Sequence, residues 1–227
     1  SSTYSVIRNG LYVSSTGNDT TGYGTVLHPY ATIARAYQAA TTTPVTSTIY
    51  VMDNITHSSK ATMASNKDIV LTSCTKSGST CSYSSSNTVL RGTALTDNMI
   101  TLSNGTLTLN NITVDGNGSN VTGTPMIHIG YGSDKILTIN DGTTLRNARG
   151  TTGGAAILCE GRVIMNGGTI TNNTDSLGGA IRLYNESSLV INNGMITNNR
   201  ATEKGGVIYS EKALVTMNSG SISGNSS

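Results

Sequence analysis

The chain has no tryptophan and no phenylalanine, and only 11% of its residues are charged. Low charge excludes polyelectrolyte disorder, which pairs a shortage of apolar residues with an excess of charge. The 14 Lys and Arg are scattered, and the net charge of +2 gives no basic stripe, so no nucleic-acid partner is expected. No apolar run approaches the length that spans a bilayer, which argues against membrane insertion. The first residues, "SSTYSVIRNG", are not a signal peptide, and the chain reads as a mature segment. Leucine is also thin, and that absence matters below. What remains is Asn, Ser, Thr and Gly in quantity, a composition suited to short strands joined by turns.

Those residues are ordered. "MNGGTITNN" (165–173), "INNGMITNN" (191–199) and "MNSGSISGN" (217–225) begin 26 residues apart. One asparagine column runs Asn110, Asn140, Asn166, Asn192, Asn218, in steps of 30, 26, 26 and 26 residues. A second follows seven residues later: Asn117, Asn147, Asn173, Asn199, Asn225. Glycine pairs recur at Gly153-Gly154, Gly178-Gly179 and Gly205-Gly206. Fixed self-similarity at this period means stacked repeats.

A leucine-rich repeat also carries an Asn column, but it needs Leu at most framework positions, and this chain lacks it. We therefore expect an all-β, right-handed parallel β-helix of about seven turns. Equivalent strands then lie about 4.8 Å apart, and like residues stack. The two Asn columns are expected to be buried ladders that satisfy backbone groups in the bends. Val114, Ile170, Ile196 and Ile222 form an expected inward column that Thr144 interrupts. Residues 1–46 differ: "LYVSS" alternates like a strand, a turn-rich loop follows, and Ile33, Ala36, Tyr37 and Ala40 lie at helical spacing. They are expected to cap the first turn, with residues 47–227 forming the repeats of the same domain.

The segment "LYVSSTGNDTTGYGTVLHPYATIARAYQAA" resembles the opening of pectate-lyase-like right-handed β-helix proteins. "GGAI" (178–181) followed by "ITNN" (196–199) is similar to the paired short motifs of chlamydial-type polymorphic outer-membrane repeats and related adhesins. Those repeats usually carry Phe where Ile170, Ile196 and Ile222 stand, so the likeness is of pattern. It implies the fold and leaves activity open, because lyases, hydrolases, adhesins and structural proteins share that scaffold.

An enzyme on such a scaffold needs charged residues gathered on one face. Counting six residues back from the anchor asparagines gives Asp134, Glu160, Glu186 and then Lys212, with Lys135 and Arg162 close by. Stacked carboxylates about 5 Å apart suit a shared cation or a glycosidase pair. Solvated bends are the competing reading, and the stronger one. No cofactor or metal is expected: His28, His57 and His128 have no ligand spacing. Tyr131, Tyr184 and Tyr209 near bends are candidates for a sugar-stacking strip, or for simple edge cover. Cys74 and Cys81 bracket a polar loop and are expected to form a disulfide in an oxidising compartment, with Cys159 a buried free thiol. Asn18, Asn54 and Asn185 are the accessible glycosylation sequons. The expected role is an extracellular structural or adhesive module. Its expected partners are a glycan, a cell-surface protein, or further copies meeting its open C-terminal end. The alternative is a polysaccharide lyase or glycoside hydrolase.

Overall fold

The computed structural model describes residues 10–83 and 85–227. Residues 1–9 of the expected cap lie outside the described residues. Three parallel sheets run the length of the molecule, and each turn contributes one short strand to each of them in succession. The first sheet stacks Gly10–Val13, Thr46–Val51, Asp68–Ser73, Thr106–Leu109, Ile136–Ile139, Arg162–Met165, Ser188–Ile191 and Leu214–Met217. The second stacks seven strands from Ile55–His57 to Ser221–Ser223, and the third six from Ala61–Met63 to Ile208–Ser210. The chain is a parallel β-solenoid of about seven turns.

Alternation along each strand decides which side chains enter the core. In the first sheet Leu11, Ile49, Leu71, Leu109, Ile139, Met165 and Ile191 pair in register, and all are buried. Each fully buried Leu or Ile contributes about 1.5–3 kcal/mol. Within the repeats the core thus needs no large aromatics, because the narrow interior is filled layer by layer with aliphatic residues.

The second sheet corrects the expected register. Val114 pairs with Leu145, and Leu145 with Ile170, so the inward column runs unbroken and Thr144 lies beside it. The cause is one bend. Four residues, Asn140 to Thr143, separate Ile139 from Thr144, whereas three, Asn166 to Gly168, separate Met165 from Thr169. The extra residue shifts everything after it by one.

The shift also rearranges the asparagines. Asn173, Asn199 and Asn225 form a ladder: the Asn173 Nδ2 donates to Asn199 Oδ1 at 2.9 Å, and the Asn199 Nδ2 to Asn225 Oδ1 at 3.0 Å. At its upper end Ala148, not Asn147, occupies the ladder position and donates its N–H to Asn173 Oδ1. Asn147 instead belongs to a column with Asn172, Asn198 and Gly224, all left-handed, with φ of 55°, 55°, 56° and 64°. Asparagine tolerates that conformation better than most residues. Asn117 is left-handed too, and its amide donates to Arg91 O. The anchor column is not buried. Asn166, Asn192 and Asn218 are exposed, and a chain of side-chain hydrogen bonds, each from Nδ2 to Oδ1, links Asn140 to Asn218 along the outside of the first sheet.

A helix over Ile33–Ala39 buries Ile33, Ala36 and Tyr37 against the first turn. Thr32 caps it by accepting from Arg35 N at 3.0 Å, and Asp19 holds Thr32 in place. The insertion after Asp68–Ser73 is an antiparallel hairpin, Thr75–Ser77 with Thr80–Ser82, and a disulfide joins Cys74 to Cys81 at its base.

Candidate ligand-binding flank

The carboxylates counted from the sequence do not stack. Between the third and first sheets the bends hold six residues after Ile129, two after Cys159 and four after Leu183. Counting back through bends of unequal length therefore loses register. Backbone bonds place Glu160 between Gly130 and Tyr184, through Glu160 N to Ile129 O and Tyr184 N to Cys159 O.

Each acid has its own surroundings. Asp134 is exposed and accepts twice from Lys135 Nζ at 3.0 Å, a bond that holds its carboxyl below the usual range. Glu160 Oε1 faces His128 Nε2 at 3.1 Å, and its Oε2 accepts from Asn185 Nδ2. Glu186 is exposed, and Arg162 stands on the outer face of the first sheet between Ile136 and Ser188. Among the described residues no three His, Cys, Asp or Glu side chains gather to hold a metal ion.

The other singled-out residues divide clearly. Arg182 places its guanidinium 4.0 Å from the Tyr184 ring centre and 5.7 Å from that of Tyr209, so these rings hold a cation. Tyr131 is 68% exposed. His57 is buried with Nε2 against Met99 O at 2.7 Å; burial pulls its pKa down, the Met99 bond opposes this, and Arg91 adds to the lowering. Burial pushes the Cys159 thiol up to about 12, leaving it inert as a nucleophile. Asn18, Asn54 and Asn185 are all exposed.

A flank cleft lies elsewhere, beside the second sheet. A cleft of about 650 Å³ is lined by Asp115, Asn117, Asn120, Asn147, Arg149 and Arg200 among others. Asp115 pairs in register with Arg146, a partnership hidden from counting by the one-residue shift. Its Oδ2 accepts from Arg146 Nε at 2.8 Å and Asn147 Nδ2 at 2.9 Å, and its Oδ1 from Asn117 N. This carboxylate is buried and fully engaged. Arg149 and Arg200 are exposed, and neither side chain has an ion-pair or hydrogen-bond partner among the described residues. Arg149 pairs with Thr174 and Thr174 with Arg200, so the two guanidinium-bearing positions stand two turns apart, about 10 Å. The cleft offers positive charge and amides, with its one lining acid neutralised. That chemistry supplies positive charge and hydrogen-bond donors, and no free acid or base.

One further acid, which no sequence spacing marks, is buried. Asp175 is fully buried, with Oδ1 accepting from Gly153 N and Ser176 N and Oδ2 without a partner among the described residues. Burial raises its pKa, against those bonds and the charge of Arg182. A raised folded-state pKa in an acid means that its stabilising contribution is complete below the ordinary carboxylate range. It is lost as pH climbs through the folded-state value. Asp175→Asn is therefore expected to raise the urea midpoint at pH 7 and to change it little at pH 3, as read by circular dichroism at both pH values.

Residues 193–211 match the Chlamydia polymorphic membrane protein repeat. The match spans the bend at Asn193-Gly194, the strand Met195–Thr197, the ladder residue Asn199 and the strand Arg200–Lys204, and it includes one cleft residue, Arg200. Comparison with curated proteins and with solved structures gave no match. Among the described residues no helix is long and apolar enough to cross a membrane.

Proposed function

We propose that this chain is a non-catalytic section of a surface-displayed β-solenoid, exported to the cell exterior, that adheres through its flanks. The observation that carries this reading is the polymorphic membrane protein repeat at 193–211, which lies within one of the solenoid's regular turns. The flank chemistry supports it: Asp134, Glu160 and Asp115 are each paired, and the cleft presents Arg149 and Arg200 toward solvent. The partner is a glycan or protein carrying negative charge on the surface the module meets. End-to-end assembly belongs to the same proposal. Val215, Met217 and Ile222 continue columns that are buried at Leu189, Ile191 and Ile196, yet they are 41%, 44% and 38% exposed. A second copy stacked on this edge would cover them.

Retention of the purified chain on intact cells tests the adhesive reading. The double substitution Arg149→Glu and Arg200→Glu is expected to reduce retention about tenfold, and the wild-type retention to fall as salt rises. Retention that neither the double substitution nor salt alters removes the cleft from the account. Sizing across a concentration series tests assembly, and a constant monomer mass would end the filament part of the proposal.

A further inference from the structure

The bends near Tyr184 and Tyr209 do not present open rings, since Arg182 occupies both. Open tyrosines gather at the opposite end. The chain has ten tyrosines and no other large aromatic residue. Tyr30 and Tyr37 are buried, but Tyr12, Tyr50 and Tyr83 stand together over the first two turns, on or beside the outer face of the first sheet. Tyr12 and Tyr50 are register partners, and their rings stack with centres 5.0 Å apart and planes 14° from parallel. Neither hydroxyl has a hydrogen-bond partner among the described residues.

The disulfide-pinned hairpin stands beside this stack. Tyr50, Thr48, Val70, Thr72, Asn110 and Tyr83 line a cavity of about 410 Å³ that the Cys74–Cys81 bridge helps to wall. Tyr12, Thr25, Leu27, His28 and the hairpin residue Ser79 line a second, of about 500 Å³. Both volumes fall in the range of small-ligand sites. No charged side chain lines the first cavity, and His28 is the sole titratable imidazole lining the second. Tyr83 is 83% exposed and Leu27 57% exposed, so apolar surface lies open beside both cavities.

We propose that Tyr12, Tyr50 and Tyr83, with the hydroxyls and amide of Thr48, Thr72 and Asn110, bind a neutral oligosaccharide. A pyranose ring has an apolar C–H face and a rim of hydroxyls. The tyrosine rings meet the face, while the Thr and Asn groups meet the rim. An acidic sugar would lose hydration here without gaining a counter-charge. The sheet and the disulfide hold the elements of the site before the ligand arrives, which limits the entropy lost on binding. The inference extends the adhesive reading by giving it a ligand class, at a surface distinct from the arginine cleft.

Titration calorimetry with cellohexaose, xylohexaose, mannohexaose and chitohexaose, beside an oligogalacturonate hexamer as acidic comparison, tests it. At least one neutral hexasaccharide is expected to bind, and more tightly than the acidic one. Tyr50→Ala and Tyr83→Ala are each expected to weaken binding about tenfold, and Tyr131→Ala less than about twofold. Tyr83 is so exposed that its substitution separates lost binding from lost folding. Absence of binding to all four neutral hexasaccharides overturns the proposal. So does binding indifferent to both tyrosine substitutions, or equal affinity for the acidic hexamer. If the sugars fail while the arginine-dependent retention holds, the adhesive reading stands without this site. If a sugar binds and is cleaved, the site stands and the non-catalytic reading falls.

Discussion

Asn199→Ala is expected to destabilise the chain by about 3–5 kcal/mol. Its Oδ1 accepts from both the backbone N–H and the Nδ2 of Asn173, at 3.0 and 2.9 Å, and its own Nδ2 donates to Ile170 O. Asn173 is fully buried, so alanine at 199 strands its backbone N–H, leaves its Nδ2 only the 3.3 Å bond to Leu145 O, and takes a donor from the Ile170 carbonyl. Each stranded group costs about 1–3 kcal/mol, and only partial relaxation is available between stacked turns. Asn192→Ala is the contrast. It sits in the outer ladder, where water replaces the lost partner, and is expected to cost less than about 1 kcal/mol. Urea denaturation of the two variants checks both values; equal losses would mean that the inner and outer ladders are not distinct.

The second large effect lies at the register shift. Leu145→Ala is expected to cost about 3–5 kcal/mol, because Leu145 is fully buried between Val114 and Ile170 and its removal leaves a cavity in the stack. Thr144→Ala should fall within about 0.5 kcal/mol of wild type, since that side chain is half-exposed beside the column. Had Thr144 faced inward, as uniform counting suggests, the order of the two effects would be reversed. The same denaturation experiment decides between the two registers.

That pair shows where the fold is legible in the sequence and where it is not. From Asn166 onward the first-to-second-sheet bends have equal length, so Ile170, Ile196 and Ile222 stack as counted, and so do Asn173, Asn199 and Asn225. The bend at Asn140–Thr143 has one residue more, and every position read through it, from Thr144 to Asn147, moves by one. Spacing also cannot tell an inner ladder from an outer one. Asn166 and Asn173 look alike in sequence, and only the alternation of the first-sheet strand turns Asn166 to solvent.

The candidate sites were less legible for the same reason. The carboxylate column depended on bends of six, two and four residues, where sequence distance carries no register. Asp115 and Arg146 are 31 residues apart rather than 26, so their pairing becomes visible once the long bend is known. Tyr12 and Tyr50 lie on either side of the loop and helix of the N-terminal segment, and no period connects them. The helix is the opposite case: Thr32, Ile33, Ala36 and Tyr37 carry their cap and apolar stripe within a few residues, and the local pattern suffices.

The central claim is that this solenoid adheres and does not catalyse. One experiment addresses both halves: incubation of the chain with cell-surface polysaccharide, measuring bound protein and newly formed reducing or unsaturated ends in the same sample. The account predicts bound protein that Arg149→Glu with Arg200→Glu, or Tyr50→Ala with Tyr83→Ala, diminishes, and no new ends above buffer. New ends that accumulate with the wild-type chain and vanish with Asp134→Asn and Glu160→Gln would contradict it.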